Sequence, residues 1–394
     1  MSMVLALCNR VAATAGRTTT EGRILDSLKL FEADSTLGGK MGRYRINANT
    51  SAHDVVRGIA DDTPFVDVRD RYLKHPETQS KLMALPRMET LMVQPLANSM
   101  RKFLGARLQC GTRVERIEVS KTGYSTFDTE DRLLARSQNL LLCCGAREAP
   151  LDELEAFTNC WEGSGKFLLR ESVDDLPSAA GPVVIVGASH SAFSCAWRLL
   201  HDPLFAEYVV DREIFILQRR ERIKLRCTQA FAARHRVEYD AVQDVCPYSG
   251  MVYRNGGLRK DAKKLYLKIR DGRESRVKLV TMNNLDEHRD LLKSAGLILQ
   301  ATGFLPAIPQ IVRDGNELSM GKPSQYGELR DLASDQILPG LFGMGLGLNI
   351  LPDGNPRGEA SFSGGIHGFQ SYPLSIAPGL IERLVLRTNE ETLH

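Results

Sequence analysis

No stretch of this sequence comes near the ~20 consecutive apolar residues of a membrane-spanning helix, so the chain reads as a soluble, cytoplasmic protein without a membrane partner. Charge of one sign is lacking too. With 51 basic residues against 48 acidic ones the net charge is +3, which gives no general field for nucleic acid. The eight cysteines (Cys8, Cys110, Cys143, Cys144, Cys160, Cys195, Cys227, Cys246) never fall in C-x-x-C spacing, which argues against a zinc ribbon, any other metal centre and a dithiol redox pair. They read as free thiols of a reducing compartment. No Ser-His-Asp or Cys-His constellation is recognisable.

What is present is an ordinary globular composition, 43% hydrophobic and 25% charged, in 394 residues. That length exceeds one core and implies two or three domains. Residues 182–200 organise the rest. Four apolar residues, Val183 to Val186, run into Gly187-Ala188-Ser189-His190-Ser191-Ala192, and apolar positions then widen to helical spacing through Phe193, Ala196, Trp197 and Leu200. This is a strand, a tight turn and a helix, the place where a dinucleotide pyrophosphate meets free N–H groups. Ser189 and Ala192 stand where the usual G-x-G-x-x-G has its second and third glycines. An ordinary strand-turn-helix crossover is the competing reading.

Residues 2–14 form a helix pattern with no strand before it, although the acid-free start with Arg10 and Arg17 also suits a transit peptide. Leu28 to Ala33 reads as a strand with an acidic end, followed by Leu37-Gly38-Gly39. Glu32, or less directly Asp34, is placed to accept from adenosine ribose hydroxyls. Together these pieces are the second half of a strand-helix-strand unit, whose first strand and glycine turn are expected upstream. Either the natural product is shortened or the start sits at an internal Met.

Tyr44 to Ser51 is polar, with Asn49 near a flavin ring in one reading and a turn residue in the other. Met88 to Leu104 recurs at helical spacing, with a kink expected at Pro95. A three-strand meander follows over 107–143, with the Val114 backbone beside an adenine, and the strand Asn139 to Cys144 ends at Gly145. Ile214 to Leu217 ends in Gln218-Arg219-Arg220. Arginine there favours a 2′-phosphate, hence NADPH, over a solvated basic turn. Lys264 to Ile269 reads as an alternating strand, and Leu297 to Gln300 as a buried strand running into Ala301-Thr302-Gly303-Phe304-Leu305-Pro306. Near the end come Gly343-Met344-Gly345, a glycine-rich loop holding His367, which is an active-site candidate or a loop cap, and a helix from Ser371 to Leu386.

The succession of Glu32 with Gly38-Gly39, Cys144-Gly145, Gly187 to Ala192, Arg219-Arg220, Thr302-Gly303 and Pro339 to Phe342 resembles the flavoproteins with two dinucleotide-binding domains. Within them it is similar to the FAD- and NADPH-dependent monooxygenases, including the N-hydroxylating amine monooxygenases and the oxidative-stress-induced growth inhibitor group. The resemblance implies an α/β fold of two Rossmann-like domains, the NADPH domain inserted in the FAD domain. The expected parts are 1–150 (FAD domain lacking its first strand and glycine turn), 151–305 (NADPH domain) and 306–394 (return to the FAD domain). It further implies oxygenation of a small substrate, an amine in many relatives, with NADPH and O2 through a flavin hydroperoxide. Gly345 is expected at the flavin, although no Asp accompanies it where many relatives have one. A homo-oligomer is allowed. The alternative is a flavoprotein-fold regulator without catalysis, and the cysteine pattern disfavours a third reading, a disulfide reductase.

Overall fold

The computed structural model describes residues 1–14, 19–48, 50–79, 83–157, 160–177, 180–219, 222–246, 249–254, 256–348, 350, 374 and 376–392. The fold is α/β, built on parallel sheets. One sheet is continuous. Its five strands, in spatial order Val277–Thr281, Ile214–Gln218, Val183–Val186, Leu297–Gln300 and Trp161–Gly163, are all parallel. Side chains alternate between its faces, so Val183 and Ile185 join one core with Phe193, Ala262 and Leu265, while Val184 and Val186 join another with Leu285 and Leu292. Helices therefore cover both faces, which is why every residue of Val183–Val186 is buried and apolar.

Two further parallel pairs stand apart from this sheet and from the meander. Leu30–Glu32 pairs with Leu108–Cys110, and Leu140–Leu142 pairs with the end of Ile337–Gly343. No ladder joins the two pairs among the described residues. The helix α1 (Ser2–Ala13) packs with α2 (Thr20–Ser27) and the last helix, Ala377–Thr392, in one apolar cluster. Residues Met3 to Cys8 of α1 are buried without interruption. A separate antiparallel meander, Arg116–Ser120, Gly123–Phe127 and Leu133–Ser137, is extended by Gln310–Arg313.

Several expectations need correction. Lys264 to Ile269 is not a strand but part of the helix Lys260–Arg270, which buries Ala262 and Leu265, three residues apart, against the sheet. Its Lys-Leu-Tyr-Leu-Lys alternation mimicked a two-residue period within a 3.6-residue one. Leu108–Cys110 belongs to the parallel pair rather than the meander. The bend expected at Pro95 is a π-helical turn, Glu89–Val93, after which Pro95 opens the helix Gln94–Leu104 where its missing N–H costs nothing. The last helix is described over Ala377–Thr392, and most of the expected start from Ser371 lies outside the described residues.

Candidate active site

Two chain crossings connect the continuous sheet to the rest. Ala146–Glu148 leaves Leu140–Leu142 and pairs antiparallel with Phe304–Pro306, which leaves Leu297–Gln300. Glycines mark both crossings: the Ala307 N–H donates to the Gly145 carbonyl at 3.2 Å, and the Ala149 N–H to the Gly303 carbonyl at 3.1 Å. Gly347 lies against Pro306, where an added Cβ would stand 2.6 Å from the proline Cα. Gly345, two residues away, is thereby held at the same crossing.

These glycines differ in what surrounds them. Gly145, Gly303 and Gly345 have φ of +73°, +113° and +109°, yet none of the described residues lies within 4 Å of the place a Cβ would take. Gly39, at +64°, is equally open. Backbone shape and free space coincide, leaving bare peptide for a flat cofactor to approach. Gly38 instead fits against Val93, and Gly187 against the Ala301 carbonyl, 2.3 Å from an added Cβ. Gly187 thus serves first to let the turn pass beside its neighbouring strand.

Beyond that turn, Ser189 is the exposed N-cap of the helix His190–His201, and its side chain makes no capping bond. Ser191 lies in the first turn, and the helix has no acidic residue there. Its N-terminal dipole is therefore free for an anion. Arg219 follows directly on Ile214–Gln218, exposed and outside any ion pair among the described residues, while Arg220 lies outside them. Thr302 accepts from Gln300 Nε2 at 2.8 Å.

On the other side, Glu32 ends its strand half-buried, with Oε1 accepting the Asp34 N–H at 3.1 Å. Burial pushes its carboxyl up, partly offset by that N–H. Desolvation pushes the Met1 amino group down, and Cys143 and Glu32 push it back up; the start of α1 has no side-chain cap. Val114 sits in the loop before Arg116–Ser120, half-buried against the meander core. Asn49 and His367 lie outside the described residues.

Sequence reasoning passed over the orphaned polar groups. Among the described residues both ring nitrogens of His190 are buried without a hydrogen-bond partner, as are Thr50 Oγ1, Arg226 Nε and Glu89 Oε2. Desolvation, with the Arg259 charge second, pushes the His190 imidazole down to about 4, so it is neutral at physiological pH and offers one donor and one acceptor. His190, Asn47, Ser194 and Asp261 line a small pocket, and Asn47 Nδ2 donates to Asp261 at 2.7 Å. Glu89 reaches from the π-helical turn toward Gly38 and Gly42, and burial raises its carboxyl. Buried polar atoms without partners are rare in folded proteins, and of these groups His190 lines a pocket, which makes it the strongest ligand-facing candidate.

The cysteines carry no comparable signal. All eight are free, and Cys143 and Cys144 are exposed just after Leu140–Leu142.

No protein-family model matches this chain. CMP-5'-(3-aminopropyl)phosphonate hydroxylase of Streptomyces rubellomurinus is 24% identical over 404 residues, spanning 92% of this chain and 91% of that protein. Among solved structures, FAD-bound DfoA, the cadaverine monooxygenase of the Erwinia amylovora desferrioxamine pathway, superposes with a TM-score of 0.57 at 14% identity, over 98% of this chain and 92% of that one. The Kutzneria ornithine N-hydroxylase KtzI, with reduced FAD, NADP+ and L-ornithine, gives 0.54 at 13% identity, over 98% and 96%. The fold is that of the two-nucleotide flavin monooxygenases. The resemblance carried by the short motifs is borne out at that level, across nearly the whole chain. Among the described residues no helix is long and apolar enough to cross a membrane.

Proposed function

We propose that this protein is an NADPH-dependent flavin monooxygenase that oxygenates a small amine. The observation that carries the reading is the meeting of Gly145, Gly303 and Gly345 at the double crossing, each with positive φ and an open face. The residues fit both cofactors. Glu32, Gly39, the uncapped start of α1, Gly145 and Gly345 would hold FAD. Ser189, His190, Ser191 and Arg219 would hold NADPH, with Thr302 and Gly303 on its nicotinamide side. Gly38 and Gly187 shape the two turns, and Val114 flanks the adenine side. FAD, once reduced by NADPH, supplies the oxygen chemistry that no side chain can.

The chain's own groups position and exclude. Residues 45–48 lie against helices of the continuous sheet, tied by the Arg45 N–H to the Leu168 carbonyl at 2.9 Å and by Asn47 to Asp261. That contact covers the cleft and keeps water from it. Neutral His190 presents a hydrogen-bonding pair beside the nicotinamide turn without adding charge. Residues 1–150, 151–305 and 306–394 would then act as the split FAD domain and its inserted NADPH domain, in the cytoplasm.

FAD titrated into the full chain, followed by quenching of flavin fluorescence, tests the cofactor half. Saturable quenching, weakened at least about tenfold in Gly303→Val or Gly145→Val, is expected. Amine-stimulated, NADPH-dependent oxygen uptake tests the reaction. A folded protein that leaves FAD fluorescence unchanged is instead a regulator built on this fold.

A further inference from the structure

Three cations, Arg226, Arg254 and Lys263, lie near one another, and none of them makes a salt bridge among the described residues. Lys263 Nζ donates to the Arg226 carbonyl at 3.1 Å, and Arg254 Nη1 to Cys246 Sγ at 3.3 Å. The Arg226 guanidinium makes no hydrogen bond or ion pair among the described residues, and its Nε is buried. Desolvation pushes Arg226 and Lys263 down, and neighbouring positive charges push them the same way. The carboxylate that Arg226 does feel is Asp54, which is itself paired with Arg57 at 3.5 Å.

The backbone at Arg226 is built rigidly. Arg226 N–H donates to the Leu258 carbonyl at 3.1 Å, Leu258 N–H to the Lys224 carbonyl at 2.7 Å, and Gly257 passes so close that an added Cβ would stand 2.2 Å from Arg226 N. Fixed, partly desolvated cations repel one another and are tolerated where an anion is bound. Asp54 places Arg226 beside segment 46–54, which also borders His190. An anion held there belongs to a molecule whose other end reaches the cleft.

We infer that Arg226, Arg254 and Lys263 form a subsite for a phosphoryl or phosphonyl group carried by the substrate. A dianion matches three unneutralised cations better than a carboxylate does. The substrate is then an amine bearing such a group. The word substrate rests on the monooxygenase reading, whereas the anion site does not.

Calorimetric titration of the full chain, saturated with FAD and NADP+ so that the cofactor's own phosphates are already supplied, tests the site. The probes are 3-aminopropylphosphonate, inorganic phosphate and 1-aminobutane. The phosphonate should bind at least about tenfold tighter than 1-aminobutane. Arg226→Gln should erase that margin and abolish phosphate binding, Arg226→Lys should restore part of both, and Lys121→Gln, at an exposed cation of the meander, should change neither. Lys263→Gln is the second variant if Arg226→Gln fails to fold. Equal affinity for the two amines, or an Arg226→Gln protein that binds like the wild type, overturns the inference. Binding that follows this pattern without NADPH-driven oxygen uptake overturns the monooxygenase reading alone.

Discussion

The two parallel-sheet regions use the same turn chemistry to different ends. In the continuous sheet, Gly187 is closed in by its own fold, with the Ala301 carbonyl where a side chain would go. At the crossing between the regions, Gly145, Gly303 and Gly345 face open space. A glycine that a motif marks as cofactor-binding can therefore be a packing glycine, and only its surroundings tell which.

The sharpest way to break this contrast is Gly187→Ala. With φ +116° and backbone 2.3 Å from the new Cβ, it should destabilise the protein by about 3–5 kcal/mol in denaturant unfolding. Gly303→Ala, strained by φ alone, should cost about 1–2 kcal/mol while losing the cofactor. Comparable losses at both positions would erase the distinction.

His190 gives the next largest effect. Its folded value of about 4 lies below the unfolded 6.5, so the unfolded state binds more protons between those limits. Stability is then fully retained above pH 6.5 and falls as the pH drops toward 4, by about 2 kcal/mol between pH 7 and 5. His190→Gln should flatten that slope in unfolding curves taken across this range. A variant as acid-sensitive as the wild type would mean the imidazole is solvated.

A smaller effect is expected at Arg219. Arg219→Gln should raise KM for NADPH about tenfold with kcat nearly unchanged, and leave KM for NADH as it was. An equal rise for both cofactors would place the residue away from the 2′-phosphate.

Much of the fold was legible because buried parallel strands leave long apolar signatures. Val183 to Val186, Ile214 to Leu217 and Leu297 to Gln300 each announced themselves, and the helix at Ser2–Ala13 and the strand at Leu30–Glu32 fell where expected. Lys260–Arg270 was misread because only Ala262 and Leu265 are buried along it, too few to display a helical stripe. The orphaned atoms at Thr50, Glu89 and Arg226 were illegible for another reason. Lack of a partner is a property of three-dimensional neighbours, and a lone Thr, Glu or Arg leaves no periodic trace. Arg226 did stand at the end of the basic run that begins at Arg219, a signal read there as cofactor recognition alone.

The most direct test needs no substrate. FAD-loaded full chain, mixed anaerobically with one equivalent of NADPH and then exposed to air, is followed by flavin absorbance. The account predicts bleaching by NADPH that is faster than with NADH, and return of the yellow colour when oxygen enters. A bound flavin that NADPH leaves oxidised would contradict it.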